Sequence, residues 1–264
     1  MAAGPEALMA ELLYERAPEL DAEALAARVR ETLPKTVAVP GGDGVLLAHE
    51  DFPIELEEGT KAILTSVMRP GEDTEGAGPY DLTQSWAFEA KEDAAQRATT
   101  TLLVVEMLGH TAPAKDRVTA FKAALRAVVE QTLPLGIWSA GAAELVAPER
   151  VAEHPLACLV NVRLFRVAGE EGVCVLDTLG LHALGMPDFQ LHFRELDPSE
   201  LAGHLRNLAA YAFEHEDAIE SGHTISGPGG EGRWTLQLED ALVAPDRAVL
   251  DIDPGPPYAA GGRG

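Results

Sequence analysis

Three observations predict an α+β fold, a mixed and mostly antiparallel sheet with helices packed on it. Apolar runs of strand length recur along the 264 residues. Longer segments repeat apolar residues at helical spacing. Early strands follow one another with little chain between them, which favours antiparallel pairing over parallel crossovers. Apolar residues make up 46% of the chain, enough for a sizeable core. One globular domain is expected over residues 1–252, with 1–70 and 82–252 as candidate sub-halves. Both parts hold helices between strands, so two similar α/β halves fit the order of elements. No short-period repeat is visible.

Residues 7–14, ALMAELLY, read as a strand, because Pro18 and a clear helix follow. Asp21 caps that helix, Ala22, Leu25, Val29 and Leu33 form its apolar face, and Pro34 ends it. Strands are expected at 36–39, 45–48 and 62–67, with a turn at 41–44. The polar, Gly- and Pro-rich stretch 69–81 reads as a mobile loop. Trp86 and Phe88 precede a short helical stretch at 90–98. Residues 99–108, TTTLLVVEML, form the best strand, apolar enough for a central, two-sided position. Val118, Phe121, Leu125, Val128 and Val129 mark a helix over 114–132, which Pro134 stops. A short strand at 135–139 and a small helix at 148–154 follow.

Strands at 156–167 and 173–179 flank the turn Gly169-Glu170-Glu171-Gly172. Such a hairpin sets Cys174 opposite Arg166 or Val167, away from Cys158, so no disulfide is expected between these two thiols. Asp197-Pro198-Ser199-Glu200 opens a helix in the manner of a capping box, with Leu201, Leu205, Leu208 and Tyr211 or Ala212 on one side. Late strands fall near 234–238 and 249–252. The tail, 253–264, is expected to be disordered.

The stretch VLDTLGLHALGMPDFQLHF, residues 175–193, raises the question of chemistry. Gly180 and Gly185 have the glycine spacing of a phosphate loop, but Met186 stands where its lysine belongs, and Asp177 and Asp188 repel an anion. GxGxxG is absent. A simpler reading has a strand end at Leu179, Gly180 turn the chain, and Gly185 close a single helical turn before Pro187. The next strand then sets Phe189, Leu191 and Phe193 on one face and Gln190, His192 and Arg194 on the other.

Thr178-Leu179-Gly180-Leu181 through Gly185-Met186-Pro187-Asp188 resembles the "TLGL–ALG–PE" element of the bacterial DUF4261 family. Other pieces agree in order: Trp86 before a short helix and the strand at Leu102–Val105, Leu135-Gly136-Ile137-Trp138, Asn207-Leu208-Ala209, and Ser221-Gly222-His223-Thr224-Ile225. The resemblance covers roughly residues 85–235. Many family members carry a histidine just before the central strand, where this chain has Thr99-Thr100-Thr101; if that histidine matters chemically, this chain lacks its chemistry. The resemblance implies a class of protein and no reaction.

Twenty basic against 43 acidic residues give a formal charge of −23. Such a surface repels nucleic acid and anionic membrane and favours basic partners. No stretch approaches the roughly 18 apolar residues of a membrane span. The N-terminus lacks the basic region of a secretory signal, so a cytoplasmic location is expected. Eight scattered histidines and two cysteines without CxxC spacing give no metal site, and no cofactor motif is present. GxSxG is absent around Ser139 and Ser221.

The expected function is that of an acidic binding protein, accessory or immunity-like, that neutralises a basic protein partner. The alternative is an enzyme whose polar pocket lies near the 177–188 and 221–226 loops. Its candidate residues are Asp177, Thr178, His182, His223, Thr224 and Trp138. Convergence of these side chains in one cleft would favour the enzyme, and scatter the binder.

Overall fold

The computed structural model describes residues 6–41, 44–56, 59–69, 80–216 and 219–261. Most of the expected mobile loop, residues 70–79, and the last three residues of the tail lie outside them. The chain forms two compact units, Glu6–Leu159 and Val160–Gly264. The boundary between the two units falls at Leu159/Val160. Among the described residues, no helix is long and apolar enough to cross a membrane.

The first unit is a seven-stranded sheet in the order β2-β3-β4-β5-β1-β6-β7, antiparallel throughout. Its strands are β1 (Met9–Tyr14), β2 (Thr36–Gly41), β3 (Gly44–Leu56), β4 (Gly59–Met68), β5 (Thr100–Met107), β6 (Gly136–Ser139) and β7 (Glu144–Val146). Helices α1 (Ala22–Arg30) and α3 (Ala114–Thr132) pack on the sheet and on each other, and the short α2 (Lys91–Arg97) lies against β1 and β6. Asp21 caps α1 as its sequence suggests, accepting from the backbone N–H groups of Glu23 and Ala24 at 3.0 Å each. Leu25 and Val29 of α1 and Phe121, Leu125 and Val128 of α3 are buried in the core. Arg28 pairs with Glu130 across the two helices. The Tyr14 hydroxyl lies 2.7 Å from Thr132 Oγ1 and ties β1 to α3.

Strand β5 is central, as expected, between β4 and β1. Leu102 and Val104 are fully buried, whereas Leu103 and Val105 on the opposite face are only half-buried. A near-continuous apolar run therefore marks the middle of the sheet here without marking two covered faces. Glu106 of β5 and Arg117 of α3 form a buried bidentate pair, with Nε to Oε1 at 2.8 Å and Nη2 to Oε2 at 2.7 Å. Leu8 N–H donates to the same carboxylate at 3.2 Å. A Cβ at Gly109 would lie 1.8 Å from Glu106 Oε1, so the turn after β5 requires glycine there.

The second unit holds six strands in the order β11-β12-β13-β10-β9-β8. These are β8 (Asn161–Arg166), β9 (Val173–Leu179), β10 (Asp188–Arg194), β11 (Thr224–Ile225), β12 (Trp234–Asp240) and β13 (Ala248–Asp253). Only β10 and β13 pair in parallel. Helix α4 (Pro198–Glu214) packs on β8, β9 and β10 through Leu201, Leu205, Ala209 and Phe213, and its cap is Asp197. Each unit thus has a mostly antiparallel sheet with helix packed on it, but the strand orders differ.

Cys174 stands opposite Arg166, as the hairpin reading requires, and both cysteines are free thiols. The strand expected from residue 156 begins only at Asn161. Residues 155–159 form turns, with Cys158 in the left-handed region at φ 66°. Burial pushes its thiol up to about 11, which makes it unreactive. The tail is ordered through Gly261 and not floppy. Arg194 N–H donates to Tyr258 O, Ala260 N–H donates to His192 O, and Ala260 is buried. The tail satisfies backbone groups of β10 beyond the end of its pairing with β13, a contact that composition does not reveal.

His49 of β3 is fully buried between two hydroxyls, with Thr36 Oγ1 3.1 Å from Nδ1 and Thr65 Oγ1 3.0 Å from Nε2. Burial lowers its pKa from 6.5 to about 4, against a small opposing effect of Asp51. Between these two values the unfolded chain binds the proton and the folded chain does not. Stability is therefore complete above pH 6.5 and falls as the pH drops towards 4, by about 3 kcal/mol in all. Urea unfolding of the wild type and His49→Gln at pH 7 and pH 4.5 checks this. The variant should lose less stability than the wild type on acidification, and equal losses would refute it.

Candidate functional site

Alternation along β8, β9, β10 and β13 separates two faces. Leu164, Leu176 and Leu191 stand side by side on the apolar one. The other face carries a polar row that crosses five strands in register: Arg163, Asp177, Gln190, Asp251 and Gln237. The first four are buried, with Asp177 and Gln190 fully so. A buried charge needs a partner and hydrogen bonds to be tolerable, and this row supplies them.

Asp177 accepts from Arg163 at both oxygens, at 3.0 Å and 2.6 Å. Arg247, in the connection between β12 and β13, donates to the same Asp177 Oδ2 at 2.6 Å. Burial pushes the Asp177 carboxyl above its ordinary value, and the two guanidiniums pull against that. Each arginine also donates to backbone carbonyls. Arg163 reaches Ala244 O, and Arg247 reaches Val243 O, Pro245 O and Thr178 O. Leu242 N–H donates to Gln190 Oε1 at 2.7 Å. The connection 241–247 is thus stapled across the polar face by side chains from β8, β10 and its own arginine.

Asp188, at the start of β10, is the second centre and is fully buried. It accepts from Thr178 Oγ1 at 2.9 Å, Leu181 N–H at 3.1 Å, His182 Nδ1 at 2.9 Å and Arg247 Nε at 3.1 Å. The loop between β9 and β10 is held by these bonds. Gly180 at φ 133° and Gly185 at φ 84° make the turns that let Leu181–Leu184 form one helical turn, as read from the glycine and proline spacing. The Thr178 hydroxyl donates to Asp188 and accepts from Phe189 N–H at 2.8 Å.

Part of the second unit is similar to one known family. The family model described as "Domain of unknown function (DUF4261)" matches residues 177–253. The matched stretch begins at Asp177 and ends with β13, so it spans Asp177, Thr178, Asp188, Arg247 and Asp251. The resembling elements at 178–188, 207–209 and 221–225 fall inside it, and those at 86, 102–105 and 135–138 outside. The chain matches no curated protein and no solved structure.

Of the six candidate residues, the fold brings three together: Asp177, Thr178 and His182, joined through Asp188 and Arg247. His223 and Thr224 do not join them. They lie at β11, four strands from β9, roughly 19 Å along the sheet at ordinary strand spacing. There they line a separate open groove of ≈ 670 Å³ with Leu208, Tyr211 and Arg233. Trp138 belongs to the first unit, where its ring stacks on Tyr80 with centroids 4.9 Å apart.

Chemically the polar cluster is spent. Thr178 Oγ1 already gives and receives a hydrogen bond, Asp177 is held by two guanidiniums, and Asp188 takes four donors. His182 is the most open of these side chains, at 19% exposure. Among the described residues no three His, Cys, Asp or Glu side chains form a metal-ligand set. Sequence reasoning missed Arg163, Arg247, Gln190 and Asp251 as members of the cluster. The available signal was polar residues at every second position in otherwise apolar strands, Asp188 and Gln190 above all.

Removing the central charge leaves two buried guanidiniums facing one another. Asp177→Asn should cost about 3–5 kcal/mol of unfolding free energy, read as a lower urea midpoint. A loss under about 1 kcal/mol would mean that the pairing contributes little.

Proposed function

We propose that this chain is a non-catalytic binding protein of the bacterial cytoplasm that takes a basic protein partner, as an accessory or immunity protein does. One observation carries the reading: the polar cluster of the second unit is closed. Its carboxylates face arginines, its hydroxyl is bonded twice, and none of Asp177, Thr178 or Asp188 has exposed surface. General acid–base or nucleophilic work needs a group free to meet a substrate, and this cluster offers its groups to the fold.

Charge supports the choice of partner. The formal charge is −23, and arginines 117, 163 and 247 are buried against carboxylates, so they do little to offset the acidic surface. A surface of one sign attracts a partner of the other and speeds encounter at low salt.

The test uses the full chain as immobilised bait in a lysate of the organism that encodes it, beside an unrelated acidic protein of matched charge. A basic protein should be retained by the chain and not by the control. Its association should slow at least about tenfold between about 0.05 and 0.5 M salt. Equal retention by the control, or retention of no basic protein, would overturn the proposal.

A further inference from the structure

The groove at β11 is unlike the rest of this molecule. It lies between the second half of α4 and the two-residue edge strand, within the matched segment. Leu208, Tyr211, Ile219 and Ile225 supply an apolar wall, and Arg233, His223, Thr224 and Ser226 supply polar groups. Its ≈ 670 Å³ lies in the range of small-molecule sites, about 300–1,000 Å³. Among the described residues no carboxylate lines it, although the chain has 43 acidic residues against 20 basic ones.

The polar groups that face this space are donors. Arg233 Nε donates to Thr224 Oγ1 at 3.0 Å, which orients the guanidinium. Its two terminal nitrogens have no partner among the described residues, and they form the fork that meets a carboxylate or sulfonate side-on. His223 Nδ1 accepts from Glu220 N–H at 3.2 Å. A neutral ring that accepts at Nδ1 carries its proton on Nε2, so that nitrogen is a donor. Ser226 adds a hydroxyl. An apolar wall beside a fork of donors, with no acidic group among the described lining residues, complements one kind of ligand.

We infer that this groove binds a small organic acid, with its apolar body against Leu208, Tyr211, Ile219 and Ile225 and its anionic end on Arg233 and His223. The inference is independent of the basic-partner reading, since it concerns a different surface and the opposite charge.

Anilinonaphthalene sulfonate is a suitable probe, because it joins an aromatic body to one anion and fluoresces when bound. Phenylnaphthylamine, which has a closely related ring system without the sulfonate, is the control. The full native chain should bind the sulfonate at one saturable site, and decanoate should displace it. Arg233→Gln should weaken binding about tenfold, as expected for loss of a charge-assisted pair. Ile225→Trp, which fills the groove, should abolish it. Arg233 is exposed and makes one side-chain hydrogen bond, so that variant should keep the wild-type circular dichroism and melting temperature. The proposal is overturned if Arg233→Gln binds the sulfonate as the wild type does, if Ile225→Trp leaves binding intact, or if phenylnaphthylamine binds as tightly as the sulfonate.

Discussion

Asp177 has no exposed surface and lies between two guanidiniums, and the polar face of the six-stranded sheet is arranged around that fact. A carboxylate at that depth is costly alone and tolerable only when paired and hydrogen-bonded. Arg163 reaches it from the neighbouring strand and Arg247 from the β12–β13 connection. Because Arg247 also bonds Asp188, one side chain couples the row across the sheet to the loop that precedes β10. The loop, the connection and four strands thus answer to one carboxylate and its two guanidiniums.

The first unit contains a smaller version of the same device. Glu106 and Arg117 pair inside it, and Leu8 N–H and Gly109 are fitted around the carboxylate. In both places a long-range polar bond selects one register of strand against its neighbours, where apolar packing alone tolerates slippage. Burying these groups makes them poor reagents, so the features that resemble a site by residue type hold the architecture. An open groove of the second unit lies elsewhere, at β11, lined by His223 and Arg233.

Much of the local structure was legible. Asp21 and Asp197 cap helices because their side chains reach the first free N–H groups, a purely local geometry. Gly180, Gly185 and Pro187 set the β9–β10 loop for equally local reasons. Residues 156–160 were misread as strand because an apolar run cannot announce a left-handed turn at Cys158. Residues 254–261 were misread as disordered because their partners, His192 and Arg194, lie about 65 residues earlier. The candidate site was half legible: Asp177, Thr178 and His182 lie at the end of β9 and in the loop after it, and that stretch could be read. Whether His223 would fold back beside them depended on strand order, which no local pattern carries.

The sequence by itself determined the class of fold, the helix boundaries, the turn chemistry and the acidic surface, since each follows from residues within a few positions of one another. Only the tertiary structure decided which polar residues meet. Arg163, Asp177, Gln190 and Asp251 stand in one row because four strands align in a particular order and register. Arg247 reaches Asp177 across 70 residues of chain. Contacts at that separation are set by the global packing of apolar faces, and the polar side chains inherit their neighbours from it.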